Sequence, residues 1–235
     1  AYSSNYTLYA DMSHRVMNIL ATFSPNQEIY SIDECFLDLT EFKTQNLTLY
    51  GQLIRQRIKQ WTGLPVCVGI GPTKTLSKLA NHLAKKHPEF NGVCDLNGTT
   101  AYQEEMWFKR IEVGEIWGIG RKLAPQLNAM RIVTALDLKQ ASIPSMRSKF
   151  SVVMEKIIRE LNGTPCIELE EVSKDKKEIV SSRSFGVKIT DLSSLEEAVS
   201  FYTRHAAEKL RRQHSYAGAI TVFINTSRFN KPEEN

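Results

Sequence analysis

The stretch that decides the fold is EIYSIDECFLDLT, Glu28 to Thr40. Two adjacent acids, Asp33 and Glu34, sit between two short apolar runs, EIYSI and CFLDL. Carboxylates in an apolar setting are costly unless paired or bound to metal. Successive side chains on a strand point to opposite faces, so neighbours share a ligand only where the chain bends. The two runs therefore read as a hairpin with the acids at its bend. Such a pair makes a seat for Mg2+, which takes oxygen ligands and keeps water and substrate phosphates around it. The alternative is a surface turn. Asp38 lies within the second run and reads as structural.

Outward from the hairpin, strand and helix patterns alternate. Residues 8–23 carry Met12, Val16, Ile19, Leu20 and Phe23 at helical spacing, and Pro25 ends that helix. Residues 48–61 read as a basic amphipathic helix with Leu53, Ile54 and Ile58 as its apolar stripe. PVCVGI reads as a buried strand, GPT as a turn into a helix from Thr75 to His87, and Gly92 to Leu96 as a further strand. This is an α/β or α+β layer. From about Gly98 to Gly163 the pattern is all helical. ELEEVSKDKKE, Glu168 to Glu178, is dense in charge and reads as a linker. A strand (EIVSSRSFG), a helix and a strand (AGAITVFINT) follow. Ser193 and Glu196 fit a capping box for that helix, and Leu195, Ala198, Val199, Tyr202 and Ala206 form its stripe.

Composition narrows the function classes. The chain has 235 residues, 42% hydrophobic and 24% charged, as in a soluble globular protein. No apolar run approaches a membrane span, and the first residues show no secretory signal pattern. Cys35, Cys67, Cys94 and Cys166 lie far apart without a CxxC pair, which argues against zinc and for reduced thiols in the cytosol. The net charge is only +4, yet Lys43 to Pro88 holds no Asp or Glu. An acid-free basic segment suits a polyanion, although a solvated basic surface reads the same way.

Two further motifs bear on phosphate. At 100° per residue, Lys74, Lys78 and Lys85 fall within about 40° on one helix face, opposite Leu76, Leu79, Ala80 and Leu83. The preceding VGIGPTKT is not a phosphate-loop motif, because Lys74 stands where its second glycine would fall. A side-chain grip on phosphate follows, rather than a backbone cradle. Further on, VGEIWGIGRKLAPQLNAM reads helix, Gly118-Ile119-Gly120, helix, with Arg121 and Lys122 next. Glycines at such a turn leave backbone N–H groups free at a helix start, where they suit phosphate. The arrangement is similar to a helix-hairpin-helix, which grips a nucleic-acid backbone without reading sequence; a structural corner is the other reading.

Taken in order, YSIDECFLDLT, VGIGPTKTLSKLANHLAKK, WGIGRKLAPQL and SRSFG resemble the Y-family translesion DNA polymerases, with the nearest likeness to the UmuC type. The resemblance implies an α+β multi-domain fold. Residues 1–97 would be part of a palm, 98–167 a thumb with the helix-hairpin-helix, 168–178 a linker, and 179–235 the β-α-β start of a little finger. It implies that Asp33 and Glu34 are catalytic carboxylates, Asp33 bridging two Mg2+ ions and Glu34 holding the one that activates the primer 3′-hydroxyl. Lys85, with Lys78, would contact the triphosphate of the incoming deoxynucleotide, and Lys74 would support DNA or phosphate. Gly118, Ile119, Gly120, Arg121 and Lys122 would hold the duplex backbone, and Arg183 and Ser184 would meet template phosphates. Partners by resemblance are primer–template DNA, a UmuD-type accessory subunit, a RecA filament and a sliding clamp. The setting would be the cytoplasm and nucleoid of a bacterium during the SOS response to DNA damage.

Against the family pattern, the strand with the first catalytic Asp, the ribonucleotide-excluding aromatic and the fingers would precede Ala1. The rest of the little finger and the clamp-binding peptide would follow Asn235. The chain is thus expected to be truncated at both ends and weak in catalysis, the alternative being a non-catalytic, sequence-independent DNA binder. Nucleotide cyclases also pair acids on palm-like sheets, but there the glycine turn and SRSFG have no purpose. Two local features stand out. Arg131 replaces a helix-ending glycine, at a cost of roughly 1 kcal/mol if left-handed. Pro125 is tolerable only within the first turn of its helix.

Overall fold

The structure is a computed structural model that describes residues 4–42, 46–170 and 177–226. Its chain divides into two compact units, Ala1–Ser173 and Lys174–Asn235. In the first unit the order is α1 (Tyr6–Leu20), β1 (Gln27–Ile29), β2 (Cys35–Leu37), α2 (Leu47–Thr62), β3 (Val68–Ile70), α3 (Lys74–Lys86) and β4 (Val93–Asp95). Five short helices follow: α4 (Ala101–Phe108), α5 (Ala124–Ala129), α6 (Ala135–Lys139), α7 (Ile143–Phe150) and α8 (Val152–Leu161). The second unit holds α9 (Leu192–Arg212).

Helix α3 organises the first unit. Thr73 is its N-cap, accepting from the N–H of Leu76 at 3.2 Å. Such a cap is worth about 1 kcal/mol. Leu76, Leu79, Ala80, Leu83 and Ala84 recur at i, i+3, i+4, i+7 and i+8 and are all buried. Each buried leucine contributes about 2 kcal/mol. The helix lies against β3, which pairs in parallel with β4 through Val68↔Val93, Gly69↔Cys94 and Ile70↔Asp95. A Cβ on Gly69 would stand 2.1 Å from the N atom of Asn81, so only glycine admits α3 this close to the strand.

The hairpin forms as its sequence requires. β1 and β2 pair antiparallel with Glu28↔Phe36 and Ile29↔Cys35 in register. The N–H groups of Tyr30 and Ser31 both donate to the carbonyl of Glu34, at 3.1 and 3.0 Å, and close the bend. Among the described residues the four strands make two separate pairs rather than one sheet. One apolar cluster runs from α3 and β4 through Phe108, Ile111 and Leu127 to Ile158 and Leu161, so the core is continuous across residues 97 and 98.

Several local expectations are corrected. Helix α1 stops at Leu20, because Thr22 and Phe23 turn back with i→i−3 bonds to Ile19 and Leu20 ahead of Pro25. In α2, Leu53 is exposed and Gly51 takes the inward position with Ile54 and Ile58, since Leu53 lies 100° round from Ile54. Helix α9 begins two residues early. Its cap is Asp191, whose carboxylate accepts from Ser194 N at 2.8 Å, in place of the Ser193–Glu196 box. Neither EIVSSRSFG nor AGAITVFINT forms a strand among the described residues. β-Propensity makes a strand only where a neighbour completes its ladder, and neither segment pairs with the other. Of the expected linker, residues 171–176 lie outside the described residues. No described helix is long and apolar enough to cross a membrane.

Arg131 and Pro125 behave as their positions require. Arg131 is left-handed, with φ of 63°. It follows Met130 at the end of α5, where Arg131 N donates to Asn128 O and Ile132 N to Leu127 O. That is a Schellman closure with arginine at the glycine position. Pro125 is in the first turn of α5, where its missing N–H leaves no gap.

Candidate active site at the acidic hairpin

Asp33 and Glu34 stand at the bend of the β1–β2 hairpin, and Glu34 reaches α3. Asp33 is exposed and accepts a 2.7 Å hydrogen bond from the Ser31 hydroxyl. Glu34 forms an ion pair with Lys78 of α3. One helical turn earlier, Lys74 forms an ion pair with Glu28 of β1. Both side chains of that inner pair are only 9% exposed. Glu28 also accepts from Glu170 N at 2.7 Å, and Lys74 donates to Glu168 O at 2.8 Å. Removing one partner from such a pair strands a buried charge, at about 3–5 kcal/mol.

The expectation of three lysines on one open face is therefore corrected. Lys74 is enclosed and committed to protein groups, and Lys78 is committed to Glu34. Lys85 alone of the three is exposed and has no ion pair among the described residues. The helical spacing was right, but the hairpin packs against the N-terminal half of α3 and supplies carboxylates to its first two lysines.

An aromatic cluster ties the glycine turn to this hairpin. Trp117, the residue before Gly118, packs on Tyr30 and Phe36 with ring centroids 5.5 and 5.7 Å away. Its Nε1 donates to the Tyr30 hydroxyl at 3.1 Å. Gly118 is left-handed at φ of 89°, and a Cβ there would meet Ile157 Cδ1 at 2.9 Å. Ile119 is buried beneath the turn. The Gly120 carbonyl accepts from Leu123 and Ala124. The N–H groups of Gly120, Arg121 and Lys122 have no acceptor among the described residues, and all three residues are exposed.

The elements around the turn are shorter than expected. A one-turn 3-10 helix, Val113–Glu115, precedes it. Residues 121–123 are a further turn, and α5 starts only at Ala124. Proline clashes with the carbonyl four residues earlier, so a helix through Pro125 cannot extend back to Arg121. Arg183 and Ser184 are exposed in the second unit, without secondary structure.

Glu28, Glu160, Tyr30 and Trp117 escaped the sequence reading. Glu160 of α8 is fully buried. Its carboxylate accepts from Thr75 N (2.9 Å), Cys166 N (2.8 Å) and Ile167 N (3.0 Å), joining α8 to the start of α3. A tryptophan directly before the glycine turn was the one signal available for Trp117. Asp38 is structural, as expected. Hydrogen bonds from the Thr40 hydroxyl and N–H hold its carboxyl below the usual carboxylate range.

The donor set at the bend is all oxygen, which suits Mg2+ and not a soft metal. No cluster of three or more His, Cys, Asp or Glu placed to hold a metal occurs among the described residues. Two carboxylates fit Mg2+ that takes its remaining ligands from water and phosphate.

Two profiles of one family match the chain. The impB/mucB/samB family matches residues 1–82, and the C-terminal domain of the same family matches residues 176–234. The chain is 48% identical to protein UmuC of Salmonella typhimurium, over 98% of this chain and 55% of that protein. It is 40% identical to protein MucB of Escherichia coli (97% and 54%), and 27% identical to DNA polymerase IV of Clostridium acetobutylicum (97% and 56%). The chain thus spans about half the length of the curated relatives it matches. Among solved structures, a Y-family DNA polymerase chimera aligns with a TM-score of 0.68 at 22% identity, over 87% of this chain and 58% of that one. A DinB-family error-prone DNA polymerase from Sulfolobus solfataricus aligns at 0.58 and 22%, over 89% and 62%. These likenesses establish a shared fold.

Proposed function

The chain belongs to the impB/mucB/samB family, as a UmuC-type member of the Y-family polymerases, and on that premise we propose that it serves template-directed, lesion-tolerant DNA synthesis. The observation that supports this most is the juxtaposition at the hairpin. Adjacent acids sit at the bend of a hairpin, a lysine-bearing helix pairs with Glu34, and Trp117 docks a basic glycine turn on the same hairpin.

Asp33 and Glu34 would hold Mg2+, which when bound activates the attacking hydroxyl and neutralises the transferring phosphate in a two-metal site. Lys85, exposed and without an ion pair among the described residues, would receive the triphosphate of a deoxynucleotide. The N–H groups of Gly120, Arg121 and Lys122, with the two side chains, present donors and charge to a DNA backbone, as in a helix-hairpin-helix of a thumb. Arg183 and Ser184 would extend that grip in a little finger. A UmuD-type subunit, a RecA filament and a sliding clamp are the partners proposed by kinship, in the bacterial cytoplasm and nucleoid.

Primer–template binding and extension test the reading together. Binding to a fluorescent primer–template should be weak and fall steeply with salt, because phosphate contacts release counterions. Extension by the chain alone is expected to be low, and whatever is measured should require Mg2+ and vanish in Asp33→Asn. Binding indifferent to salt, or extension that survives Asp33→Asn, overturns the proposal.

A further inference from the structure

Helix α3 is joined to the hairpin by two ion pairs one helical turn apart, and their surroundings differ. The Lys74–Glu28 pair is closed. Its side chains are 9% exposed, two backbone groups of residues 168–170 complete it, and the Lys74 ammonium lies 4.9 Å from the Phe36 ring centroid. The Lys78–Glu34 pair is open. Its side chains are 20% and 28% exposed, and neither has another polar side-chain bond among the described residues. Besides Glu34, the Lys78 ammonium has the Tyr30 ring beside it, 5.8 Å to the centroid.

Resting on the reading of Asp33 and Glu34 as a metal seat, we propose that Lys78 is an exchangeable counter-ion of that seat. Without a divalent cation it neutralises Glu34. A cation entering between the two acids displaces it, and the freed ammonium becomes a phosphate-binding group at the same place.

Charge balance carries the argument. Two acids and one lysine leave the bend with a single negative charge, which attracts a divalent cation. Once that cation is bound, both carboxylates are neutralised, and an ammonium in contact with Glu34 becomes a like charge beside it. Lys78 then has reason to leave, because its pair is only part-buried and, among the described residues, the Tyr30 ring is the one other group beside it. Lys74 has no such freedom, because it is enclosed and held by backbone groups as well. The displaced cation gives the bend a net positive charge only after metal binds, so a polyphosphate is attracted to the loaded site and not to the empty one. Lys78 thus differs from Lys85, which is open to phosphate at all times.

The test uses Mn2+ as the probe, with the free ion counted by its electron paramagnetic resonance signal, on the 235-residue chain. Lys78→Gln should bind Mn2+ about three- to tenfold more tightly than the parent, the size expected for removing one charge near a divalent ion in a wet, screened site. Lys86→Gln, which removes an exposed charge from the same helix, should change affinity by less than about twofold. As a second measurement, brief amine acetylation read by mass spectrometry should modify Lys78 slowly in the metal-free chain. Adding Mn2+ should speed it up, with Lys86 as the internal standard. Unchanged or weaker Mn2+ binding in Lys78→Gln, or a labelling rate at Lys78 indifferent to Mn2+, overturns the exchange. If Asp33→Asn and Glu34→Gln bind Mn2+ like the parent, the metal-seat reading fails, and the exchange with it.

Discussion

Replacing Arg131 with glycine is expected to stabilise the first unit by about 0.5–1 kcal/mol. Arg131 closes helix α5 with φ of 63°, a left-handed conformation in which a Cβ crowds the following carbonyl. That strain is worth about 1–2 kcal/mol. Glycine removes it but gives back about 0.4–1 kcal/mol through the greater freedom of the unfolded chain. The guanidinium contributes little to offset this, since Arg131 is exposed and its side chain has no ion pair or hydrogen bond among the described residues. The Schellman bonds, Arg131 N to Asn128 O and Ile132 N to Leu127 O, are backbone and survive the change. For a unit of this size the gain corresponds to a rise in Tm of about 1–4 °C. Urea unfolding followed by circular dichroism measures the energy directly, and calorimetry the temperature. Arg131→Ala is the control, because it removes the side chain yet keeps the Cβ, and it should stay within about 0.5 kcal/mol of the parent. If Arg131→Gly is neutral or destabilising, or if Arg131→Ala gains as much, backbone strain is not the cause.

Other sites give sharper losses. Glu160→Gln sets an amide NH2 against a backbone N–H at one end of a fully buried carboxylate, and should cost about 1–3 kcal/mol in urea unfolding. The Cys94 thiol is pushed up to about 12, mainly by burial. It should resist iodoacetamide at pH 8 in the folded protein and react at once in urea. Burial holds His82 below the usual imidazole value of 6.5, outweighing the charge of Glu115, with Lys86, His87 and Lys85 adding to the lowering. The unfolded chain therefore takes up this proton first. The stability His82 contributes is present above pH about 6.5 and is lost as pH falls below it, a dependence that His82→Gln should flatten in paired unfolding curves. For DNA, Lys122→Ala should lower the slope of log affinity against log salt by about 1, whatever the DNA sequence.

Features that depend on neighbours within a few residues were legible. The bend at Asp33 and Glu34 follows from two short apolar runs flanking an acidic doublet, and the hairpin register agrees with it. The tolerated Pro125 follows from its place in the first turn of α5, whereas Arg131 stood out only through the family resemblance, as the residue at a helix-ending glycine position. The amphipathic face of α3 is legible too, because its periodicity is local. Legibility failed where a partner distant in sequence was needed. Residues 178–186 and 217–226 have the composition of strands, but composition does not supply the neighbour that completes a ladder, and they form none among the described residues. The cap of α9 was misplaced by two residues because serine and aspartate both cap well, and only the backbone path selects Asp191.

The sequence by itself therefore determined the chemistry present at this site: two acids at a bend, three lysines on one helix face, a basic glycine turn, and the kinship these imply. Tertiary structure decided what each group is free to do. Helix α3 is separated from the hairpin by more than thirty residues, and no spacing rule connects Lys74 with Glu28 or Lys78 with Glu34. Packing brings them together, encloses one pair and leaves the other open. It also seats Trp117 on Tyr30, which ties the glycine turn to the hairpin. The physical reason is that a charge is legible from its residue type, whereas its solvation and its counter-ion belong to whatever the fold places against it.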